Sequence, residues 1–343
     1  MNRPLIKRPT IRDVASLANV GIMTVSRVMN NVPTVDSATR SRVQAAIQKI
    51  GYQQNEAARM LKGRPSMTIG LVVPDLSDAF FASCAHTAQQ IARVHNYVTL
   101  IASSGRDGDL EAAEAELMVS RSIAGILIST STMKKSSRLE RLQKSGVAFV
   151  ALARPLTGLT ADTVLVENRK GAIEAVNHLI AHGHQRIMSV SHGHGAFTTS
   201  ERMLGYCKSV EARGYKTHVV DLDALADKKV WFEKLMRSKK RPTAIFTLSH
   251  RASVSMFWLL SGAGVSIPDD MAIIGFDDFE LAGLLSPPLT TVSQSPQELT
   301  REAMALLLLR LKAREDACDV KKAQTVILPV RLTLRNSCGC HPA

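Results

Sequence analysis

Four residues in one short segment near the start of the chain carry side chains that could contact DNA bases. They are Ile22, Met23, Ser26 and Arg27, which share one face if the segment is helical. A guanidinium group can donate two hydrogen bonds to a guanine edge, whereas Ile and Met can contact only methyl groups and shape. The segment therefore has the chemistry of a recognition helix that enters the major groove of duplex DNA.

Three helical patterns place this segment in a helix-turn-helix unit. The first begins with a capping-box sequence at residues 10–13, and residues 19–21 interrupt it before the second helix. Asp36 can cap a third helix. The apolar residues at helical spacing are Ile11, Val14, Ala15 and Ala18, then Val25, Val28 and Met29, then Val43, Ala46, Ile47 and Ile50. A generic three-helix bundle is the alternative reading.

Positive charge is concentrated in the same part of the chain. The 343 residues carry a net charge of +13, and residues 1–65 contain eleven Lys and Arg but only three Asp and Glu. A basic module joined to a nearly balanced body indicates a polyanionic partner for the module. Composition alone is equally compatible with a solvated basic arm.

From Met67 onward, strand and helix patterns alternate to about residue 275. About ten strands in this order predict an α/β body of two parallel sheets with a cleft between them. Ligands of such sheets bind at the carboxyl ends of the strands.

The overall composition excludes several classes of protein. Hydrophobic residues make up 45% of the chain and charged residues 21%, which is ordinary for a globular protein. The N-terminus has no apolar signal segment, and five scattered cysteines suit a reducing cytoplasm. Phosphate-binding glycine loops and a nucleophile-elbow motif are missing from the sequence, so an enzyme is not expected.

Motifs along nearly the whole chain resemble the lactose-repressor/galactose-repressor (LacI/GalR) family of bacterial transcription regulators. They are Asp13-Val14-Ala15, Thr24-Val25-Ser26-Arg27, Gly51-Tyr52, Gly70-Leu71-Val72-Val73-Pro74-Asp75, His178-Leu179-Ile180-Ala181-His182-Gly183-His184, Glu201-Arg202-Met203-Leu204-Gly205-Tyr206, Ile274-Gly275-Phe276-Asp277-Asp278, Pro288-Leu289-Thr290-Thr291-Val292 and Leu334-Arg335-Asn336-Ser337. Each motif alone is weak, but together and in this order they are specific.

The resemblance implies a domain organisation. It places a small all-α helix-turn-helix domain at 1–54, a hinge helix and linker at 55–65, and a periplasmic-binding-protein-like effector-binding and dimerisation domain at 66–343. The last would have an N-subdomain at about 66–160 and 294–325 and a C-subdomain at about 161–293 and 326–343. The implied protein is cytoplasmic and nucleoid-associated, uses no cofactor, and binds double-stranded palindromic operator DNA as a homodimer. A tetramer is not expected, because no heptad tail follows Ser337.

The same resemblance implies the residues that contact DNA. Ile22, Met23 and Arg27 would read bases, and the phosphate contacts would come from Thr10, Thr24, Ser26 and Asn30. Asn55, Ala58 and Leu61 would lie on the hinge helix. Leu61 would be an apolar wedge in the minor groove that kinks the operator.

The resemblance also implies a small-molecule effector in the cleft. The expected binding residues are Phe80, Phe81, Arg154, Thr198, Arg202, Ser249, His250 and Asp277. Ala153 stands where the family usually has Asp or Asn, and Ser249-His250 replaces the usual Asn-Asp. This exchange favours an anionic effector such as a sugar acid or a sugar phosphate. A neutral sugar, a non-sugar effector and the loss of any effector remain open, as does an α/β ligand-binding enzyme with an incidental basic N-terminus.

Two other groups of residues could bind metal. His178, His182 and His184 have a helical spacing, and Cys338 and Cys340 lie close in sequence. The resemblance accounts for His178 and His184, and two cysteines form only part of a tetrahedral site, so we predict no metal. His192 and His194 follow a predicted strand and could contact the effector.

Overall fold

The computed structural model describes residues 9–52, 66–193, 195–316 and 322–339. It divides into two compact units, residues 1–66 and residues 67–343. The predicted fold class, a small helical unit followed by an α/β body of two sheets, is confirmed. The predicted hinge residues Asn55, Ala58 and Leu61 lie outside the described residues.

The first unit contains the three predicted helices, α1 (Ile11–Leu17), α2 (Ile22–Met29) and α3 (Ser37–Ile50). Their apolar faces meet in one core, as predicted; its buried members are Val14, Ala15, Ala18, Val25, Val28, Val43 and Ala46. Thr10 forms the predicted capping box with Asp13. The Asp36 carboxylate caps α3, accepting a hydrogen bond from the amide of Thr39 at 2.9 Å.

The turn between α1 and α2 depends on Asn19. This residue has a φ of 49°, in the left-handed region that Asn tolerates better than most residues. Gly21 is the N-cap of α2 and offers no side-chain hydrogen bond. Asn19 therefore allows the chain to reverse sharply without a glycine, and α2 starts at Ile22.

The second unit alternates strands and helices. Its first elements are β1 (Thr68–Val73), α4 (Ala79–Val94), β2 (Val98–Ser103), α5 (Gly108–Ser120), β3 (Gly125–Ile128), α6 (Ser137–Lys144), β4 (Ala148–Leu152), β5 (Asp162–Val166), α7 (Asn168–Ala181) and β6 (Ile187–Ser191). The remaining elements are α8 (Phe197–Glu211), β7 (Val219–Asp221), α9 (Lys228–Arg237), β8 (Ala244–Thr247), α10 (His250–Gly262), β9 (Ala272–Phe276), β10 (Thr290–Ser293), α11 (Pro296–Glu315), β11 (Thr325–Leu328) and β12 (Arg331–Thr333).

These strands form two sheets, each at the centre of a subdomain. The sheet of the first subdomain has the order β11-β5-β4-β3-β1-β2, and all its neighbours are parallel. The sheet of the second subdomain has the order β12-β10-β9-β8-β6-β7. Its neighbours are parallel except β10 and β12, which are antiparallel. Two parallel-dominated sheets therefore stand where the sequence predicted two parallel ones.

The predicted subdomain boundaries need two corrections. Strand β5 pairs with β4 and strand β11 pairs with β5, so both belong to the first subdomain and not to the second. The buried carboxylate of Asp162 fixes this arrangement. It accepts two hydrogen bonds from the Arg310 guanidinium, at 2.6 and 2.8 Å, and one from the amide of Gln324 at 2.9 Å.

The chain passes between the subdomains through three short connections. Residue 167 joins β5 to α7, residues 294–295 join β10 to α11, and residues 329–330 join β11 to β12. Helix α11 packs on α4 and on strands β3 to β5. It buries Leu306, Leu307 and Leu311, so this helix belongs to the core of the first subdomain.

Alternate residues of the central strands cover the two faces of each sheet. In β1, Leu71 and Val73 join a core cluster that includes α4, α7 and α11, whereas Val72 joins another with α5. In the described part of the chain, none of the helices is long and apolar enough to cross a membrane.

Candidate functional site

The second helix of the first unit presents an exposed face. Ile22 is 43% exposed, Met23 is 68% exposed, and Arg27 is exposed one turn further along α2. On the opposite face, Val25 and Val28 are buried in the core. Two large apolar side chains that remain in solvent beside a guanidinium form a surface suited to methyl groups and a guanine edge.

The predicted phosphate-contacting residues lie in α2 or next to α1 and α2. Thr24 and Ser26 are half-buried on α2, and the Asn30 side-chain amide donates to Ser26 Oγ at 3.4 Å. Thr10 is exposed, and its hydroxyl donates to the Asp13 carboxylate at 2.8 Å. Thr10 precedes α1 and Asn30 follows α2, whereas Thr24 and Ser26 lie within α2.

In the second unit, a cavity of about 300 Å³ lies at the carboxyl ends of the strands, between the two subdomains. Seven of the eight predicted effector residues surround it; they are Phe80, Phe81, Arg154, Thr198, Arg202, Ser249 and Asp277. The rings of Phe80 and Phe81 meet edge to face, with centroids 5.1 Å apart. The volume is at the lower end of the range for small-molecule pockets.

His250, the eighth predicted residue, is not among the residues around the cavity. It is the first residue of α10, and its Nδ1 lies 3.7 Å from Oδ1 of Asp78. His250 therefore lies beside Asp78, a residue of the other subdomain that does line the cavity. Ser249 is the N-cap of α10, and its Oγ accepts a hydrogen bond from the amide of Ala252.

Arg202 is buried and held by several partners. Its Nε donates to Asn168 at 2.8 Å, and its Nη1 donates to the Leu248 carbonyl at 2.8 Å and to Asp277 at 3.0 Å. The guanidinium also lies 3.7 Å from the centroid of the Phe276 ring. A charged hydrogen bond, two neutral acceptors and an aromatic face compensate its burial.

Arg154 is buried with fewer partners. Its Nη1 donates to the Thr130 carbonyl at 2.9 Å, and its guanidinium lies 5.6 Å from the Phe81 ring centroid. Among the residues that the structure describes, its Nε is buried without a hydrogen-bond acceptor. Burial, with repulsion from Arg202 and Arg106, lowers the pKa of Arg154 to about 10, so the group still carries its charge at neutral pH.

Several residues around the cavity were not predicted. Those with polar side chains are Asp78, Arg106, Ser131, Thr199, Asp223, Arg251 and Gln294. His192, which the sequence offered as a possible effector contact, also lines the cavity. Most follow a strand end, so the rule for ligands of parallel sheets could have found them. The lining contains four arginines and three aspartates. Its net charge is therefore less positive than the sequence suggested from the residues at positions 153 and 250, where the family usually has acidic or amide side chains.

Asp78 is the carboxylate most affected by its surroundings. Burial raises the pKa of Asp78, and the negative charge of Asp277 raises it further, while His250 lowers it. Its Oδ1 accepts a hydrogen bond from the amide of Phe80 at 3.0 Å, at the start of α4. Asp277 accepts from Gln294 as well as from Arg202.

His192 has the hydrogen bonds of a charge-relay group. Its Nδ1 is 2.7 Å from Asp223 Oδ1, and its Nε2 is 2.9 Å from Ser255 Oγ. Ser255 lies within α10 and is not among the residues around the cavity. The arrangement therefore orients the His192 ring, and the serine that it contacts does not line the cavity. Residue 194 lies outside the described residues.

Among the residues that the structure describes, the other candidate groups are not assembled into a metal site. The rings of His178 and His182 have centroids 4.3 Å apart, and His184 Nδ1 is 3.0 Å from Thr243 Oγ1. Cys338 is buried and accepts from Thr290 at 3.2 Å, while Cys340 is outside the described residues. Throughout the described ranges, three or more His, Cys, Asp or Glu side chains are nowhere grouped to hold an ion.

Fold and sites together define a class of protein, in which a helix-turn-helix unit is joined to a two-subdomain ligand-binding body. Comparison with known families agrees with this class. Residues 10–55 match the family model of bacterial regulatory proteins of the lacI family, and residues 176–338 match that of the periplasmic binding protein-like domain.

Individual proteins are similar over most of the chain. Catabolite control protein A of Priestia megaterium is 30% identical over 341 residues, which are 96% of this chain and 98% of that protein. A regulator from Enterococcus faecium, solved with bound ribose, is 27% identical with a TM-score of 0.69, covering 79% of this chain and 98% of its own. The lac repressor dimer bound to operator is 22% identical with a TM-score of 0.81, covering 97% and 99%. This last likeness concerns the fold.

The chain belongs to the lacI family of bacterial regulatory proteins. It is therefore a DNA-binding transcription regulator, and the predictions of this family and of a protein other than an enzyme are confirmed.

Proposed function

We propose that this protein is a homodimeric repressor of carbohydrate or sugar-acid metabolism genes. The observation that carries the proposal is the exposed face of α2, where Ile22, Met23 and Arg27 lie together on the second helix of a helix-turn-helix unit. Recognition helices of such units read base edges in the major groove. Each protomer would read one half of a palindromic operator.

The hinge helix completes the proposed DNA interface. Asn55, Ala58 and Leu61 follow the helix-turn-helix segment in the sequence. We assign to Leu61 the insertion into the minor groove at the centre of the operator, where unstacking of a base step costs a few kcal/mol that added contacts offset. A regulator of chromosomal genes would act in the cytoplasm, at the nucleoid.

Exposed apolar side chains support the dimer. In the second subdomain, Trp258 is 77% exposed on α10, and Leu281 and Leu284 are 59% and 79% exposed after β9. In the first subdomain, Val94 and Val98 are 78% and 66% exposed. Large apolar groups at such exposure commonly mark protein interfaces. A second copy of the chain is the proposed occupant, because a palindromic operator requires two recognition helices related by a twofold axis.

The cavity between the subdomains is the proposed effector site. Its polar groups at the strand ends and its two Phe rings suit a small carbohydrate or a related acid. The Enterococcus faecium regulator was solved with ribose bound, which supports this ligand class. An effector that prefers one subdomain arrangement shifts the protein toward it and changes operator affinity, and DNA must change effector affinity by the same factor.

The proposal is tested by selecting duplexes from a randomised palindromic library with the full-length protein. The selected operator should bind with a Kd of about 10⁻⁸ M or tighter and about 10³-fold or more above random DNA. Thermal unfolding with a metabolite library then identifies the effector. Failure to enrich any sequence would contradict the proposal, whereas operator binding without any stabilising metabolite would contradict only the effector.

A further inference from the structure

The arginines around the cavity differ in how their charges are balanced. Three of them have a carboxylate nearby: Arg202 lies 3.0 Å from Asp277, Arg251 lies 3.8 Å from Asp223, and Arg106 lies 3.6 Å from Asp75. For Arg154, the described residues place no carboxylate oxygen within 4.0 Å of its guanidinium nitrogens. Arg154 is therefore the cation of this site that lacks an ion-pair partner.

Arg154 is also the arginine with an unused buried donor. Its Nη1 is occupied by the Thr130 carbonyl, but its Nε finds no acceptor among the described residues. A buried donor without a partner is destabilising, and the penalty is larger when the group is charged. Because this Nε is also closed to solvent, an anion in the cavity would compensate the charge of the guanidinium rather than accept a hydrogen bond from Nε.

Two carboxylates near Arg154 have other partners. Glu111 is buried, and its Oε2 accepts a hydrogen bond from the amide of Ser131 at 2.7 Å. Asp78 accepts from the amide of Phe80 and lies beside His250. Both contribute attraction to Arg154, yet neither comes within ion-pair distance of its guanidinium.

Further donors stand at neighbouring strand ends of the first subdomain. Ser131 follows β3 and lines the cavity, with its Oγ 3.1 Å from Ser104 Oγ. Arg106 follows β2 and also lines the cavity. The second subdomain contributes Thr198 and Thr199 to the facing side.

We infer that the effector carries a carboxylate or a phosphate group, and that the Arg154 guanidinium binds this group with Arg106 and Ser131 beside it. The inference rests on the proposed function, in which the cavity between the subdomains is the effector site. The charged guanidinium of Arg suits both oxyanions, because its N–H groups form charge-assisted hydrogen bonds with either one. A cavity of about 300 Å³ limits the remainder of the ligand to about the size of a monosaccharide.

The test compares acids with neutral sugars of the same size on the full-length dimer. Calorimetric titrations use D-gluconate and D-glucose 6-phosphate against D-glucose, D-ribose 5-phosphate against D-ribose, and D-galacturonate against D-galactose. We expect at least one acid to bind at least tenfold more tightly than its neutral counterpart, with an affinity that falls as NaCl increases. Comparison of the two carboxylates with the two sugar phosphates identifies which oxyanion the protein binds.

Variants of Arg154 test the assigned contact. Arg154→Met should weaken the bound acid about tenfold or more, because a charge-assisted hydrogen bond is lost, and Arg154→Lys should be intermediate. Without ligand, Arg154→Met should unfold at the same temperature as wild type or higher, because an unpaired buried charge has been removed. The matched control is Arg169→Met, which removes an exposed arginine paired with Glu201 outside the cavity.

The outcomes separate the inference from the proposed function. Equal or tighter binding of the neutral sugars, binding of an acid that Arg154→Met leaves unchanged, or the binding of none of the acids would each overturn the inference. If Arg154→Met does not fold, two measurements on wild type still test the inference. They are the salt dependence of acid binding and the ratio of the affinities for each acid and its neutral counterpart. Operator binding is measured in parallel by fluorescence anisotropy with the selected operator. If the protein binds the operator but none of the acids, the inference is contradicted and the proposed DNA-binding function is not.

Discussion

At the scale of single residues, the two buried arginines of the cleft show how similar side chains acquire different roles. Arg202 makes three hydrogen bonds with groups of its own subdomain, which holds its guanidinium in place before any ligand arrives. Arg154 makes one, to a carbonyl. A site with one fixed cation and one that lacks a counter-ion is prepared for an anion that interacts mainly with the latter.

Arg27 provides a prediction for base recognition. Arg27→Ala should weaken the selected operator by about 1–3 kcal/mol and relax the preference at one base pair, because a bidentate contact to guanine is lost. Anisotropy titrations with operator variants at that position measure both effects. The control is Lys49→Ala, which removes one exposed positive charge from the same unit at the last turn of α3. Equal losses on operator and random DNA would show that Arg27 contacts only phosphates.

Glu111 provides a prediction of pH dependence. Burial raises the pKa of Glu111 above its ordinary value of 4.5, so the folded protein holds this proton more tightly than the unfolded chain. The stability contributed by this group is fully present below pH 4.5 and is lost as the pH rises through the folded pKa. Glu111→Gln should therefore raise Tm relative to wild type at pH 8 and much less at pH 4.5.

A second carboxylate on the same helix serves as the control for Glu111. The hydrogen bond from Arg138 lowers the pKa of Glu116, so its contribution is present above pH 4.5 and is lost as the pH falls through the folded pKa. Glu116→Gln should lower Tm at pH 8, and this difference should disappear in acid. For each variant, the difference in Tm from wild type is measured by thermal unfolding between pH 4.5 and pH 8. The slopes of this difference against pH should have opposite signs for the two variants. Parallel slopes would contradict the assignment.

At the scale of elements, close packing of α7 and α8 depends on Gly205. A Cβ at this position would lie 2.5 Å from the Arg169 carbonyl oxygen and 2.7 Å from Ala172 Cβ. Backbone cannot move aside cheaply, so Gly205→Ala should destabilise the protein by about 1–3 kcal/mol, measured by urea unfolding. Gly262→Ala is the matched control, because this helical glycine has open space around it and Ala favours helix. A neutral Gly205→Ala would mean that the helices separate without cost.

The elements also show what the sequence could and could not predict. Helix α4 and strands β1, β3 and β4 carry long apolar patterns, and their positions follow from the sequence within a few residues. Strands β11 and β12 have four and three residues at sheet edges, three of the seven are exposed, and the strands are too short for a recognisable pattern in the sequence. Strand β5 is paired on one side by β11, which lies far along the chain, so no local signal assigns it to the first sheet.

The residues around the cavity could likewise be predicted only in part from the sequence. Residues after strands β4, β8 and β9 and on helix α8 could be assigned to the cleft from topology and resemblance, and Arg154, Ser249, Asp277 and Arg202 do line it. The exclusion of His250 could not be predicted, because the first residue of a helix can face either side, and its pairing with Asp78 depends on the other subdomain. The shortage of partners around Arg154 is likewise a property of the folded cleft.

At the scale of the whole molecule, Trp258 tests the proposed dimer. Trp258→Glu should weaken the dimer by about 2 kcal/mol or more, because a large exposed aromatic group at an interface is replaced by a charge. Sedimentation equilibrium measures the dissociation, and operator affinity should fall with it. Leu204→Glu is the control, since this residue is a 50% exposed apolar group on α8 of the same subdomain. Unchanged mass for Trp258→Glu would place the interface elsewhere.

The three connections between the subdomains limit how the body can respond to a ligand. Each contains only one or two residues between its flanking elements. A residue spans at most about 3.6 Å, so such connections cannot lengthen enough to let the two sheets slide apart or exchange position. Rotation of one subdomain against the other is the motion that these connections still allow. Substitutions at residues 167, 295, 329 and 330 should therefore change the resting orientation of the subdomains, and with it the ligand concentration at half response, without altering a residue that lines the cavity. Gln294 is excluded because it does line the cavity.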